Sequence, residues 1–222
     1  MPVIKMYQYQ DIPKWSELKK YDRITLARGD FVEIKAEYPK IAVAVLSGCC
    51  VLTNEEDSYG LEAGKYLKDI GSVIRAETGS KYKAVDKCEL MIIQGTWEWI
   101  HIGFFKVGRF EQPYNRGSDA PYYRNTGFDN HYHDYEEDWI VTSGSGVVQT
   151  EGQLYEVKCG DCVCTQKGCH HDFPIVHEFV EALALLYQPK GECRKGHLWE
   201  YQHGIAVPET DEEDKEVEKA CQ

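Results

Sequence analysis

Three residues in the middle of the chain have the types and the spacing to hold a metal ion. His131 and His133 are separated by one residue, and Glu137 follows four positions after the second. On a pleated ladder the side chains at i, i+2 and i+6 leave one face, so all three can point into a single cavity, with Trp139 next on that face. Downstream, Gly160 and Gly168 frame a seven-residue run, and a histidine three positions after the second glycine, His171, can close the set. Three imidazoles and one carboxylate suit one borderline divalent ion per chain, zinc, manganese, iron, cobalt or nickel, and leave positions open for water or substrate. A purely structural site is normally closed by thiolates, so this donor set argues for chemistry.

The pattern His131-x-His133-x3-Glu137-x6-Gly144, followed by Gly160-x7-Gly168-x2-His171, resembles the two signature motifs of the cupin family. Gln166 stands where the second motif usually has proline, at a position that shapes a turn and does not touch the metal. The resemblance implies an all-β fold of the jelly-roll or double-stranded β-helix type, with His131, His133, Glu137 and His171 as the metal ligands.

Composition agrees with sheet and turn. Of 222 residues, 42% are hydrophobic, tyrosine (15) outnumbers phenylalanine (7), and there are 19 glycines, a balance that favours strands linked by many turns. The net charge of −12 argues against nucleic acid as a partner, because such binding depends on clustered lysine and arginine. Much of the acidic excess lies between Glu209 and Glu218. No apolar run reaches the ~18 residues of a membrane span and Met1–Lys5 lacks a secretory core, so a cytoplasmic protein is expected. Nine cysteines, an odd number, then read as reduced thiols, and Cys159-Gly160-Asp161-Cys162 as part of a strand-entry turn more than a redox pair.

An internal repeat organises the chain. With Ser47-Gly48 laid on Ser143-Gly144, Gly71-x7-Gly79-x2-Tyr82 reproduces the spacing of Gly160-x7-Gly168-x2-His171, with Ile70 and Val73 at apolar strand positions and an insertion within Thr53–Asp69. Counting back from Gly48 places Lys35, Glu37 and Ile41 where the other half has His131, His133 and Glu137, and Tyr82 replaces His171. The expectation is two tandem cupin-type β-barrels of which only the C-terminal one binds metal, an arrangement that resembles two-barrel cupins with one dead site. The boundaries expected are an N-terminal arm at 1–20, with a short helix around Lys14–Lys20, a metal-free barrel at 21–110, the metal-binding barrel at 111–207 and an acidic tail at 208–222.

Residues beyond the ligands are placed by proximity in sequence. Arg124, just before the metal strand, offers a planar fork of donors to an anionic or hydroxyl-rich substrate, and Tyr123, Trp139 and Phe173 are further candidate substrate contacts. Tyr135 should face inward and donate to a bound oxygen. General-base candidates are Glu200, His197 and His177, if their segments reach the cavity. The run Gly196–Gly204 could fold over the barrel mouth as a lid, pack outside, or lie across a dimer seam. His170 should point away from His171 by alternation.

The resemblance implies a metal-dependent enzyme, because small cupins include isomerases of sugars, sugar phosphates and uronates. The favoured expectation is an aldose–ketose isomerase acting on a hexose or an acid-substituted sugar through a metal-stabilised enediolate. The same ligands also serve iron-dependent dioxygenases and metal-dependent lyases, and a non-catalytic sugar-binding barrel is the third class. A small carbohydrate is the expected partner, and pairing of exposed sheet edges makes a homodimer the expected assembly.

Overall fold

The computed structural model describes residues 2–53, 58–62, 74–75, 79–187 and 193–209. It is nearly all β. In chain order the strands are β1 (Val3–Ile4), β2 (Leu18–Leu26), β3 (Phe31–Glu33), β4 (Lys40–Ser47), β5 (Cys49–Thr53), β6 (Ser58–Glu62), β7 (Ile74–Arg75), β8 (Lys81–Ala84), β9 (Cys88–Gly95), β10 (His101–Val107), β11 (Glu136–Thr150), β12 (Gln153–Lys158), β13 (Cys162–Thr165) and β14 (His171–Tyr187), followed by one short helix, α1 (Glu200–His203). Ile70, Gly71, Val73 and the acidic run after Glu209 lie outside the described residues.

The chain forms two compact units, Glu17–Gly103 and a second that joins Met1–Ser16 to Phe104–Gln222. In the first, two antiparallel sheets run in the orders β2-β9-β4-β7 and β3-β8-β5-β6. Their inner faces enclose one apolar cluster, including Ile34, Ile41, Val43, Cys50, Tyr82, Cys88 and Leu90, with Val32 packed against it. In place of a helix at Lys14–Lys20, Leu18 already pairs with Gly95 as β2 opens. Leu18, Tyr21 and Leu26 are buried along that strand, so tertiary packing overrides the helical propensity of a lysine-rich segment.

The second unit is one antiparallel sheet in the order β1-β13-β11-β14-β10, with β12 paired to β11. The residues expected as a separate arm divide: Val3 and Ile4 pair with Val163 and Cys162, whereas residues from Glu17 onward belong to the other unit. Val107, Trp139, Val141, Val148, Val163, Phe173 and Val176 form its core.

The repeat read from the sequence is visible in the registers. Ser47 pairs with Glu89 and Ser143 with Glu181, each after a shift in the ladder. A Cβ on Gly48 would meet the Lys87 carbonyl oxygen at 2.1 Å, and one on Gly144 the Phe179 oxygen at 2.1 Å, with φ of +73° and +78°. Both positions therefore demand glycine on two counts, space and backbone conformation. Among the described residues, no helix is long and apolar enough to cross a membrane.

Candidate metal centre

The predicted ligands converge. His131 and His171 form an isolated antiparallel bridge in which each N–H donates to the other's carbonyl, at 3.1 and 2.8 Å. Glu137 is the second residue of β11, opposite Thr165 on one side and Leu186 on the other. The segment Asp134–Tyr135 between His133 and β11 is bent rather than extended, yet the alternation survives it. His131, His133, Glu137 and His171 each present a ligand atom, all within 4.8 Å of one another, and all four are buried. Asp138 faces the other way, where its carboxylate accepts from Ser16 and Tyr187 hydroxyls at 3.0 Å, and burial pushes it up to about 7.

The donor set fits a divalent cation. Each histidine Nδ1 lies against a backbone carbonyl: His131 against Asp129 at 2.9 Å, His133 against Gly196 at 2.8 Å and His171 against Cys169 at 3.0 Å. A carbonyl only accepts, so each Nδ1 carries the proton and each Nε2 turns its lone pair inward. The Nε2 of His131 is buried with no hydrogen-bond partner, and Glu137 Oε2 lies 2.9 Å from Nε2 of both His133 and His171. Burial would raise Glu137, but positive charge on the His133 and His171 rings would outweigh it and hold the carboxyl well below its usual range; with both Nε2 atoms unprotonated, a bound cation would supply that charge. Burial, reinforced by the neighbouring imidazoles of His171, His197 and His133, pulls His131 well below its ordinary value. A converging group of basic nitrogens around a persistent carboxylate is what a cation would bridge.

The segment from Cys193 to Gly204 lies across this centre. Leu198 and Tyr132 exchange backbone hydrogen bonds at 3.0 and 3.1 Å. Arg194 grips Asp134 through Nε at 2.7 Å and Nη2 at 3.0 Å. His197 stacks flat on His131, ring centroids 3.6 Å apart and planes within 1°. Its Nδ1 meets the Asp129 carboxylate at 2.9 Å, and Trp199 Nε1 donates to the same carboxylate at 2.7 Å. Burial works against the charged imidazole of His197, but Asp129 outweighs it and raises this group above its ordinary value. Asp129 was not singled out from the sequence; its preceding position to Asn130 carries no spacing signal, and its partners are 68 and 70 residues away.

The other sequence candidates are distributed more widely. Tyr135 stacks on the His133 ring at 4.7 Å and is buried. Trp139 packs edge-on against His171 at 5.2 Å with Phe173 beneath it, so both belong to the floor and core. Arg124 lies against Asp172 at 2.7 Å and donates to the Phe128 carbonyl at 2.6 Å, so the structure spends the expected substrate fork on an internal ion pair. Tyr123 is exposed. His177 sits on the outer face with Glu156 at 2.9 Å. Glu200 is exposed on α1, where its charge acts on His170. His170 itself packs against Tyr132, away from the ligands, as alternation predicts. The Cys159 thiol donates to the Thr142 carbonyl, and no disulfide links the described cysteines.

The first unit fills the equivalent positions differently. Val32 pairs with Tyr82 as His131 does with His171, and Gly79 N–H donates to the Ile34 carbonyl as Gly168 does to that of His133. Ile41 faces Gln94 five places from the Ser47–Glu89 pair, as Glu137 faces Leu186 five places from Ser143–Glu181. The residues standing in for the ligands are thus Val32, Ile34, Ile41 and Tyr82. Counting back from Gly48 gave Ile41 correctly but put Lys35 and Glu37, both exposed, at the two histidine positions. The loop before β4 is longer than its counterpart before β11, and that shifts the count.

Comparison with known proteins places this geometry. The cupin domain family Cupin_2 matches residues 123–185. The uncharacterized protein y4oW of Sinorhizobium fredii is 31% identical over 199 residues, covering 87% of this chain and 89% of the relative. The fold is similar to a Lactobacillus farciminis oxalate decarboxylase crystallised as a formate complex, with TM-score 0.54 at 10% identity over 81% of this chain and 80% of that one. It is also similar to an IolB-like protein of Salmonella typhimurium, with TM-score 0.51 at 12% identity over 83% and 88%. Residues 123–185 thus match the cupin domain, and the chain belongs to one family with y4oW.

Proposed function

We propose that this protein is a metal-dependent aldose–ketose isomerase acting on a small hydroxy-carbonyl sugar. The observation that carries the reading is the Asp129–His197 pair, set face to face with the ligand His131. Asp129 accepts from Nδ1 of His197 and leaves the other ring nitrogen to take and return a proton, the arrangement a general base needs. The His197 side chain is 43% exposed, so a proton it holds exchanges with water while its ring flanks the buried ligands. A divalent ion held by His131, His133, Glu137 and His171 supplies Lewis acidity toward neighbouring carbonyl and hydroxyl oxygens. His197 then removes the proton from C2 of the aldose and delivers it to C1, while the hydroxyl proton on O2 passes to O1. The conversion is redox-neutral and needs no co-reactant. Because Arg124 is engaged by Asp172, it gives no support to a phosphate, sulfonate or carboxylate on the sugar, and a neutral hexose is the favoured member of the class.

Proton NMR in heavy water under nitrogen, with a panel of neutral and acid-substituted aldoses and ketoses, tests the assignment. The expected result is deuterium at C1 or C2 together with the paired sugar, slowed roughly 10²–10⁴-fold by His197→Ala at unchanged metal content. Turnover that requires dioxygen, or no exchange anywhere in the panel, would overturn the isomerase assignment.

A further inference from the structure

Of the three ligand histidines, two are anchored locally, His131 by the carbonyl two residues before it and His171 likewise. His133 is anchored from a distance: its Nδ1 meets the Gly196 carbonyl, 63 residues away, at 2.8 Å. We infer that the segment Cys193–Gly204 is a working part of the metal centre, with the Gly196 carbonyl as the positioning group for His133, so that docking of this segment and metal affinity are a single coupled equilibrium. The inference rests on the metal reading above and adds a role for a backbone group that no ligand motif contains.

Three observations carry it. The acceptor fixes the tautomer in which the Nε2 of His133 faces Glu137, and a metal-bound histidine gains basicity and orientation from such a partner. The segment is clamped to the stretch that bears the two histidines, through the Leu198–Tyr132 pairing and the three bonds from Arg194 to Asp134, on either side of His133. Gly196 has φ +79°, and a Cβ there would meet nothing within 4 Å. Its conformation, with no question of space, is what aims the carbonyl at His133. Coupling of this kind is reciprocal: whatever the docked segment adds to ion affinity, the ion adds to docking.

Gly196→Val isolates the effect, because a β-branched residue is strained at positive φ while its Cβ meets nothing within 4 Å. With zinc as the probe, competition titration is expected to show about 10–100-fold weaker binding than wild type, with the protected Nδ1–H of His133 lost from the histidine NMR spectrum. Gly152→Val is the control: φ is +72° and its Cβ is equally unobstructed, but it lies in the turn between β11 and β12, outside the segment. It should keep the His133 signal. Zinc affinity of Gly196→Val within two-fold of wild type overturns the inference. If that variant does not fold, hydrogen exchange of the wild-type protein decides: zinc must slow exchange at the bonded amides of Leu198 and Gln202–Gly204, and unchanged exchange at saturation overturns the coupling. Absence of any zinc binding by the wild type is a separate outcome, which removes the metal reading itself along with the inference.

Discussion

The two β units carry the same bridge and fill it in opposite ways. Val32, Ile34, Ile41 and Tyr82 of the first unit all lie in or against a single apolar cluster, where each fully buried side chain of this kind contributes about 1.5–3 kcal/mol. His131, His133, Glu137 and His171 of the second are all buried, but imidazole and carboxylate groups cost free energy on leaving water unless they are paired. One site is complete as a core. The other has its donors arranged around a place for a cation, and the difference shows that the scaffold tolerates either filling so long as the glycine turns at Gly48 and Gly144 keep the registers aligned.

Substitution at equivalent positions separates the two fillings most sharply. His133→Ala should empty the centre, with metal content by elemental analysis falling to background and turnover lost, while far-ultraviolet circular dichroism keeps its β signature. A variant that kept both metal and turnover would remove His133 from the ligand set. Ile34→Ala, at the matching place in the first unit, should do the reverse. It leaves a cavity in the core and costs about 2–5 kcal/mol in urea unfolding, with metal content unchanged.

A smaller effect follows from linkage. Zinc at about 100-fold over its Kd should stabilise the wild type by about 2.7 kcal/mol and His133→Ala not at all, and hydrogen exchange should confine the gained protection to peptides of the second unit. Protection spread over Leu18–Gly95 would contradict the contrast drawn here. The smallest effect belongs to Glu89. Its hydrogen bond with Arg23, against the opposing pull of partial burial, holds its carboxyl below the usual value. A depressed carboxyl stabilises above its unfolded pKa and loses that contribution as pH falls through the folded value. Glu89→Gln should therefore cost less than about 1 kcal/mol at neutral pH and nothing at pH 2, measured by urea unfolding at both.

How far the sequence could be read follows from how each feature is encoded. The ligands were legible because alternation carries parity along the chain, and even the bend at Asp134–Tyr135 preserves it. The offset of Lys35 and Glu37 was not, since a loop length that changes between repeats leaves no mark in either one alone. His197 was suspected from composition, but its partner Asp129 and the Gly196 carbonyl were invisible: one contact joins residues 68 apart, the other uses a backbone atom that every residue possesses. Arg124 looked free to bind substrate because nothing local announces that Asp172, 48 residues on, will claim it.

The pairing of β1 with β13 has a consequence for the order of events on the ribosome. Val3 and Ile4 complete a sheet edge whose other strand is Cys162–Thr165, and Lys5 finds Asp161 across 156 positions of chain. At about 5–20 residues per second, the partner strand emerges on the order of ten seconds after the first residues do. Glu17–Gly103 is contiguous and can close on itself within that interval, while the opening strand waits with an unpaired edge, open to any other strand that reaches it first. The speed of translation, and not the depth of the final energy well, sets how long that window lasts.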